Sequence, residues 1–200
     1  MKVLIACEYS GRVRDAFTKL GHDAMSCDIL ETESPGKHYK GDVRDVLGGG
    51  WDMMIAHPPC TYISNAGAKH LYKGGQGVLN LERFKYGLEA VDLFNLLWKA
   101  DIPKICIENP VPSTVYYEHG LQRYHQTIQP YEYGHPFQKK TCLWLKELPF
   151  LIPTNITNER QCSRVAGNWF NKGGKDRQKN RAMTFQGIAD AMVMQWGAEC

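Results

Sequence analysis

Short apolar runs alternate with helical segments along this chain, and that alternation restricts the folds it can adopt. Val3–Cys7 is a continuous apolar run, which is typical of a strand buried on both faces of a parallel sheet. A helical segment follows, in which Val13, Phe17 and Leu20 share one face, and Gly21 is placed to end it. A strand that passes directly into a helix is the repeating unit of a doubly wound α/β fold.

The same pattern continues along the chain. We predict strands at His22–Asp28, Asp52–Ala56, Ile102–Glu108 and Lys140–Leu145, a short helix near Val43–Leu47, and longer helices at Leu81–Lys99 and Ile188–Trp196. The segment Thr61–Asn80 lacks strong periodicity, and a loop of this length is usually a functional lid or disordered. The prediction is therefore a Rossmann-like, doubly wound, mostly parallel sheet in a single domain over residues 1–200.

The distribution of charge is more informative than its total. The chain has 24 Lys and Arg against 21 Asp and Glu, a net charge of +3, which is too small to indicate nucleic-acid binding by itself. Basic residues are concentrated at 160–181, where Trp169 and Phe170 also lie. A cationic stretch with aromatic residues suits a phosphate backbone and exposed bases, but a solvated basic loop is an equally good interpretation.

Seven cysteines are scattered along the chain, at positions 7, 27, 60, 106, 142, 162 and 200. Their number is odd, no two have the C-x-x-C spacing and no pair of histidines accompanies them, which argues against a disulfide framework and a zinc site. The N-terminal apolar run is too short for a signal peptide, and no segment approaches the roughly 20 apolar residues that span a bilayer. We therefore expect no metal, no membrane association and a cytoplasmic location.

Ligands of doubly wound sheets bind beyond the carboxyl ends of the strands, and the residues with the most versatile chemistry fall there. The predicted strand ends carry Glu8-Tyr9-Ser10-Gly11, Asp28, His57-Pro58-Pro59-Cys60 and Glu108-Asn109-Pro110. The sequence therefore predicts one site at that edge of the sheet.

Cys60 is the strongest candidate for a reactive group. It follows a buried strand and two prolines, so it could be a nucleophile at the edge of the crevice or simply a small apolar residue. Cys7 and Cys106 lie inside apolar runs and are expected in the core. Glu108 ends another strand, where its carboxyl group could cap a turn or contact a ring nitrogen of a substrate.

Two aspartates are candidates for holding a cofactor. Asp28 ends the second strand, where nucleotide-binding folds hold ribose hydroxyls, and Asp42 begins the next turn. Aspartates in surface turns are commoner than ligands, so both interpretations stay open. The first turn lacks G-x-G-x-x-G, which argues against a dinucleotide but not against a cofactor without phosphates.

Taken in order, these motifs resemble those of the C5-cytosine DNA methyltransferase family. The similar segments are Tyr9-Ser10-Gly11 (cofactor turn), His57-Pro58-Pro59-Cys60 (Pro-Cys nucleophile motif), Glu108-Asn109-Pro110 (Glu-Asn-Val motif), Tyr133-Gly134-His135-Pro136 with Lys139 (Tyr-Gly-x-Pro-Gln-x-Arg-x-Arg) and Gly187–Met192 (last cofactor-side motif). Lys139 and Thr141 stand where the family has arginines, and Asp190 where it usually has asparagine. A small basic insertion, roughly 149–180, takes the place of a target-recognition domain, as in compact phage-like members.

The resemblance implies a class I methyltransferase fold, S-adenosyl-L-methionine as cofactor, and double- or single-stranded DNA as partner, with a separate specificity protein as a further potential partner. It implies that Cys60 attacks C6 of cytosine, with Glu108 and Lys139 as further catalytic residues. Cofactor-binding roles fall on Glu8, Tyr9, Ser10, Gly11, Asp28, Ile29, Asp42, Val43, His57 and Pro59. Substrate-binding roles fall on Asn109, Pro110, Lys140, Thr141, Arg164, Lys172, Lys175 and Arg177.

Two alternatives remain open at this point. One is a pyrimidine methyltransferase acting on RNA or single-stranded DNA, because unpaired bases need less recognition machinery. The other is a catalytically inactive nucleic-acid-binding relative, which the replaced arginines favour and the retained Cys60 and Glu108 oppose. An amino methyltransferase is disfavoured, because Cys60 stands where its Asp/Asn-Pro-Pro motif has an aromatic residue.

Overall fold

A seven-stranded sheet forms the centre of the computed structural model, which describes residues 1–73, 77–162 and 182–198. The strands are β1 (Lys2–Ala6), β2 (Asp23–Asp28), β3 (His38–Lys40), β4 (Met53–Ala56), β5 (Tyr72–Lys73), β6 (Val78–Leu79), β7 (Lys104–Pro110), β8 (Gln126–Ile128), β9 (Phe137–Gln138), β10 (Thr141–Lys146) and β11 (Gln161–Cys162). The helices are α1 (Arg12–Lys19), α2 (Asn65–Ala68), α3 (Leu81–Trp98), α4 (Val115–Glu118) and α5 (Gln186–Trp196), with 3-10 turns at Val43–Asp45 and Pro130–Glu132.

The order of strands across the main sheet is β3-β2-β1-β4-β7-β10-β8. Five adjacent strands form the parallel part of the sheet: β3, β2, β1, β4 and β7. Strand β10 is antiparallel to both β7 and β8. The chain moves outward from β1 on one side and from β4 on the other, so the topological switch point lies between β1 and β4. The predicted α/β fold with a mostly parallel sheet is therefore confirmed, and its strand order is consistent with a Rossmann-like fold.

Both faces of the sheet are covered, which explains the continuous apolar run in β1. Val3 and Ile5 pack in a cluster with residues of α1 and α5, whereas Leu4 and Ala6 pack in a second cluster with residues of α3. All four side chains are fully buried. Because successive strand residues point to opposite faces, a strand between two helical layers has no position for a polar residue. None of the described helices combines the length and apolar character needed to cross a membrane.

The structure corrects the prediction for Thr61–Asn80, which contains α2 and the antiparallel pair β5–β6. The segment before Gly41, to which no strand was assigned from the sequence, contains the edge strand β3. These elements are short and largely polar or exposed, so neither has the apolar periodicity from which strands and helices are predicted.

Three residue-level predictions also change. Leu20 follows α1 and is 54% exposed, so only Val13 and Phe17 of its predicted face enter the core. Cys7 lies just after β1 in a left-handed backbone conformation, with φ of 57°, rather than inside the strand. Asn109 and Pro110 were predicted to follow the strand Ile102–Glu108, but they belong to β7 and pair with β10.

Candidate functional site

The switch point brings the ends of three strands to one edge of the sheet. The main-chain N–H of His57, after β4, donates to the carbonyl of Ala6 in β1 at 2.9 Å, and that of Glu8 donates to Cys27 in β2 at 3.0 Å. Strand β7 lies parallel beside β4, so Glu108 comes next to His57. The carboxyl ends of β1, β4 and β7 thus meet at the edge of the sheet where folds of this kind bind ligands in a crevice.

His57 and Glu108 form a buried pair in this crevice. Nδ1 of His57 lies 2.8 Å from Oε2 of Glu108, and the two side chains are only 9% and 11% exposed. The hydroxyl of Thr184 donates to the same carboxylate oxygen at 3.4 Å. His57, predicted to bind the cofactor, therefore contacts the predicted catalytic acid as well.

The pKa of each member of the pair is shifted toward its charged form. Burial alone would lower the pKa of His57, but its hydrogen bond to Glu108 and the charges of Glu108 and Glu8 outweigh burial and raise it. Burial alone would raise the pKa of Glu108, but the hydrogen bond and charge of His57, together with the charge of Lys139, lower it. Both directions favour an imidazolium beside a carboxylate.

The segment that carries Cys60 is tied to the segment that follows Glu108. The side-chain amide of Asn109, which is 2% exposed, donates to the carbonyl of Pro58 at 3.0 Å. A few residues later, the N–H of Asn65 donates to the carbonyl of Val111 at 2.8 Å. These bonds fix the turn after β4 against the end of β7, so the predicted nucleophile and acid belong to one connected unit.

Cys60 lies beyond the carboxyl end of β4. It is half-buried and follows the buried Pro58 and the exposed Pro59. Burial raises the pKa of Cys7 and of Cys142 to about 12, so these two thiols stay protonated at neutral pH. The nucleophilic role of Cys60 stays a prediction.

Arg83, in the first turn of α3, holds the main chain just beyond Cys60. Its Nη2 donates to the carbonyls of Thr61 at 2.9 Å and Gly67 at 3.2 Å, and its guanidinium lies 5.1 Å from the centre of the Tyr62 ring. A Cβ on Gly67 would lie 2.6 Å from the carbonyl oxygen of Thr61. The first part of the predicted lid is thus a tightly packed turn.

Glu8 occupies the N-terminus of α1. Its carboxylate accepts the N–H groups of Val13 at 2.8 Å and Arg14 at 3.3 Å, and the hydroxyl of Ser10 at 3.1 Å. A carboxylate there satisfies helix donors and complements the helix dipole. Gly11 has φ of 75°, and a Cβ on it would lie 2.5 Å from a guanidinium nitrogen of Arg14, so this turn requires glycine.

Asp28 and its neighbour form the side of the crevice beyond β2. Asp28 is half-buried; burial raises its pKa, and hydrogen bonds from the main chain, including the N–H of Leu30 at 2.9 Å, offset part of that effect. Ile29 is 74% exposed. Tyr9, after β1, is buried, and burial raises its pKa to about 12. Beyond β2, the Asp28 carboxylate and the exposed apolar side chain of Ile29 therefore belong to adjacent residues.

Asp42 has partners of its own. It caps the 3-10 turn by accepting the N–H of Arg44 at 2.9 Å and also pairs with the Arg44 guanidinium at 2.7 Å. Val43 is 6% exposed and belongs to the core. These contacts match the alternative interpretation of Asp42 as a turn residue, and a cofactor role for either residue stays a prediction.

Lys139 contributes positive charge to the site. It is half-buried, its ammonium lies 5.8 Å from the centre of the Phe185 ring, and its charge lowers the pKa of Glu108. The hydroxyl of Thr141, which is 3% exposed, donates to the carbonyl of Lys139 at 3.1 Å. Because Thr141 lies opposite Pro110 in the sheet, the register brings Lys139 to the end of β7.

Two of the segments that resemble the methyltransferase family, Tyr133–Pro136 and Gly187–Met192, pack against each other. The N–H of Gly187 donates to Nε2 of His135 at 2.9 Å, and a Cβ on Gly187 would lie 1.9 Å from the carbonyl oxygen of Tyr133. The buried Thr184, just before α5, lies beside the pair of His57 and Glu108. Sequence reasoning missed Thr184, although its position directly before a matching motif was a usable signal.

Arg14 was missed without any signal in the sequence. It lies on the buried side of α1 with no exposed surface. Its two terminal nitrogens donate to the hydroxyls of Ser26 and Thr32 and to the carbonyls of Ser34 and Pro35, at 2.9–3.2 Å. Arg14 therefore holds the loop that follows Asp28 against the sheet.

Of the predicted basic substrate contacts, Lys140 is exposed. Arg164, Lys172, Lys175 and Arg177 lie outside the described residues. Within the described residues, no three His, Cys, Asp or Glu side chains are grouped so that they could hold a metal ion.

No protein-family model and no curated protein matches this sequence. Among solved structures, the chain is similar to the methyltransferase EhMeth of Entamoeba histolytica, with 17% identity and a TM-score of 0.47. The similarity covers 78% of this chain and 57% of EhMeth, so this chain matches little more than half of that protein's length.

Proposed function

We propose that this protein is an S-adenosylmethionine-dependent methyltransferase that modifies C5 of cytosine in DNA, with Cys60 as a covalent nucleophile. The observation that carries the proposal is the connection between the turn bearing Cys60 and the end of β7. Asn109 bonds to Pro58, and His57 bonds to Glu108. A thiol and a carboxyl group held in one unit at the switch point are what addition to a pyrimidine ring requires.

The residues beyond β1 and β2 fit a nucleoside cofactor of this kind. Asp28 is a half-buried carboxylate with a raised pKa, and ribose hydroxyls that donate to it would compensate for its loss of water. The exposed Ile29 offers an apolar surface to an adenine ring. Tyr9, Ser10 and Gly11 would form the wall of the cofactor site beyond β1. Asp42 and Val43 would form the far end of that site. S-adenosylmethionine, when bound, would supply an electrophilic methyl group.

Each residue of the unit then has a defined task. Cys60 reacts as a thiolate, and its Sγ forms a bond to C6 of the base, which makes C5 nucleophilic. Negative charge develops on N3 as the Sγ–C6 bond forms, so Glu108 at the ring edge acts by passing on a proton: the proton it shares with Nδ1 of His57 moves to N3. Lys139 adds positive charge nearby. After C5 is substituted, loss of the C5 proton and departure of Sγ restore the aromatic ring. In duplex DNA the base must first leave the stack, at a cost of a few kcal/mol.

The proposal is tested by incubating the protein with methyl-labelled S-adenosylmethionine and duplex DNA, single-stranded DNA or RNA, then digesting the products to nucleosides. We expect label in 5-methylcytosine from DNA, absent with Cys60→Ala and retained with Cys200→Ala as a matched control. Label in a different nucleoside, or label that persists with Cys60→Ala, would refute cytosine C5 chemistry. Label from RNA alone would move the substrate to RNA.

A further inference from the structure

The imidazole of His57 has one satisfied and one unsatisfied nitrogen. Because a carboxylate oxygen can only accept hydrogen bonds, Nδ1 carries the proton that bonds to Glu108 at 2.8 Å. Nε2 is buried and has no hydrogen-bond partner among the described residues. A buried polar atom without a partner is costly, so it commonly marks the place of a ligand or water.

The position of His57 in the sheet indicates where Nε2 can find a partner. Strand β4 lies between β1 and β7, and Nδ1 is committed to Glu108 on the β7 side. Four charged groups act on the imidazole: Glu8 beyond β1, Asp28 beyond β2, Glu108 on β7 and Lys139 before β10. Glu8 bonds instead to the N-terminus of α1, and no described residue, Glu8 included, makes a hydrogen bond to Nε2.

We propose that His57 is a positioning residue with two ends: Nδ1–H fixes the carboxylate of Glu108, and Nε2–H donates to an oxygen acceptor of a ligand in the crevice. This inference rests on the proposed function, which supplies two such ligands, a cofactor carboxylate and the carbonyl of a pyrimidine. The bond from His57 and the bond from Thr184 both fall on Oε2 of Glu108. Oε1 therefore remains for the substrate, and the imidazolium keeps Glu108 ionised until substrate binds.

The charge and the ligand contact can be observed without any turnover. In the protein labelled with ¹⁵N-histidine, an imidazolium gives two similar nitrogen shifts, whereas a neutral ring gives two widely separated ones; His57→Asn identifies the signal. S-adenosylhomocysteine and a cytosine-containing single-stranded oligonucleotide are added separately, and calorimetry establishes that each binds. We expect a charged ring before addition and a change at Nε2 with one ligand, which thereby identifies the acceptor.

A neutral His57 near pH 7, or no change at Nε2 with both ligands bound, would overturn the proposal. Failure of both ligands to bind would refute the proposed function and the Nε2 contact, while the spectrum of the unliganded protein would still decide the charged pair. The two failures are thus distinguishable.

Two near-isosteric variants separate positioning from packing. The side-chain amide of His57→Asn reaches the place of Nδ1, and that of His57→Gln reaches the place of Nε2. We expect His57→Gln to reduce kcat about 100-fold, the loss typical of a misplaced active-site group, and His57→Asn to restore most of kcat while raising KM for the ligand that contacts Nε2. Equal losses in the two variants, with equal melting temperatures, would refute the two-ended role.

Discussion

Replacement of Arg14 is the most demanding test of how the fold holds the site. Its guanidinium is fully buried and donates to two hydroxyls, two carbonyls and the carboxylate of Asp15, which lies at 2.7 Å. In Arg14→Met the apolar stem keeps its packing, but the carbonyls of Ser34 and Pro35 lose their donors. Each carbonyl left without its donor costs about 1–3 kcal/mol, so the two together should cost about 4 kcal/mol.

Urea unfolding followed by tryptophan fluorescence measures this loss. With a slope of about 2 kcal/mol per molar urea, the midpoint should fall by about 2 M. Arg14→Lys keeps the charge but lacks the planar fork that reaches several acceptors, so it should recover only part of the loss. Lys19→Met, at an exposed position of the same helix, is the control and should stay within about 0.5 kcal/mol of the parent.

A loss below about 1 kcal/mol for Arg14→Met would refute the reasoning. It would mean that the loop after Asp28 holds its conformation without the guanidinium. Full recovery by Arg14→Lys would instead show that charge alone, rather than the geometry of five donors, stabilises the loop.

Three further predictions concern the site. Gly187→Ala should destabilise the protein by about 1–3 kcal/mol in thermal unfolding, since its Cβ would lie 1.9 Å from the carbonyl oxygen of Tyr133; an unchanged melting temperature would contradict that packing. Asp28→Asn should weaken S-adenosylhomocysteine binding about 10-fold in calorimetry, equivalent to about 1.4 kcal/mol, and unaltered affinity would remove Asp28 from the cofactor site. The stabilising effect of the His57–Glu108 pair should be complete between the ordinary pKa values of 4.5 and 6.5. It should be lost as pH falls through the lowered pKa of Glu108 or rises through the raised pKa of His57, and a pH–stability curve unchanged in His57→Asn would exclude it.

The sequence was most informative where strands are buried on both faces. Met53–Ala56 is entirely buried, and its continuous apolar run predicted that strand to within one residue. By contrast, β3 and β8 are three-residue strands at the two edges of the sheet with largely polar sequences. Edge strands bury one side only, so their side chains carry little periodic signal.

The site was predictable in its parts but not in its contacts. The strand ends bearing His57, Cys60 and Glu108 could be assigned to one edge, because parallel strands end on the same side of a sheet. The bond between His57 and Glu108 depends on β4 and β7 being neighbours, which hydrophobic periodicity does not specify. The burial of Arg14 depends on acceptors from a loop about 20 residues away in sequence, a tertiary arrangement beyond any local pattern.

DNA that contains 5-fluorocytosine gives the sharpest test of whether Cys60 attacks cytosine. Fluorine at C5 blocks the final elimination, so the bond between Sγ and C6 persists and the protein–DNA adduct survives a denaturing gel. We predict a shifted band that requires S-adenosylmethionine and disappears with Cys60→Ala. Absence of that band with cofactor demonstrably bound, or its persistence with Cys60→Ala, would rule out Cys60 as the nucleophile.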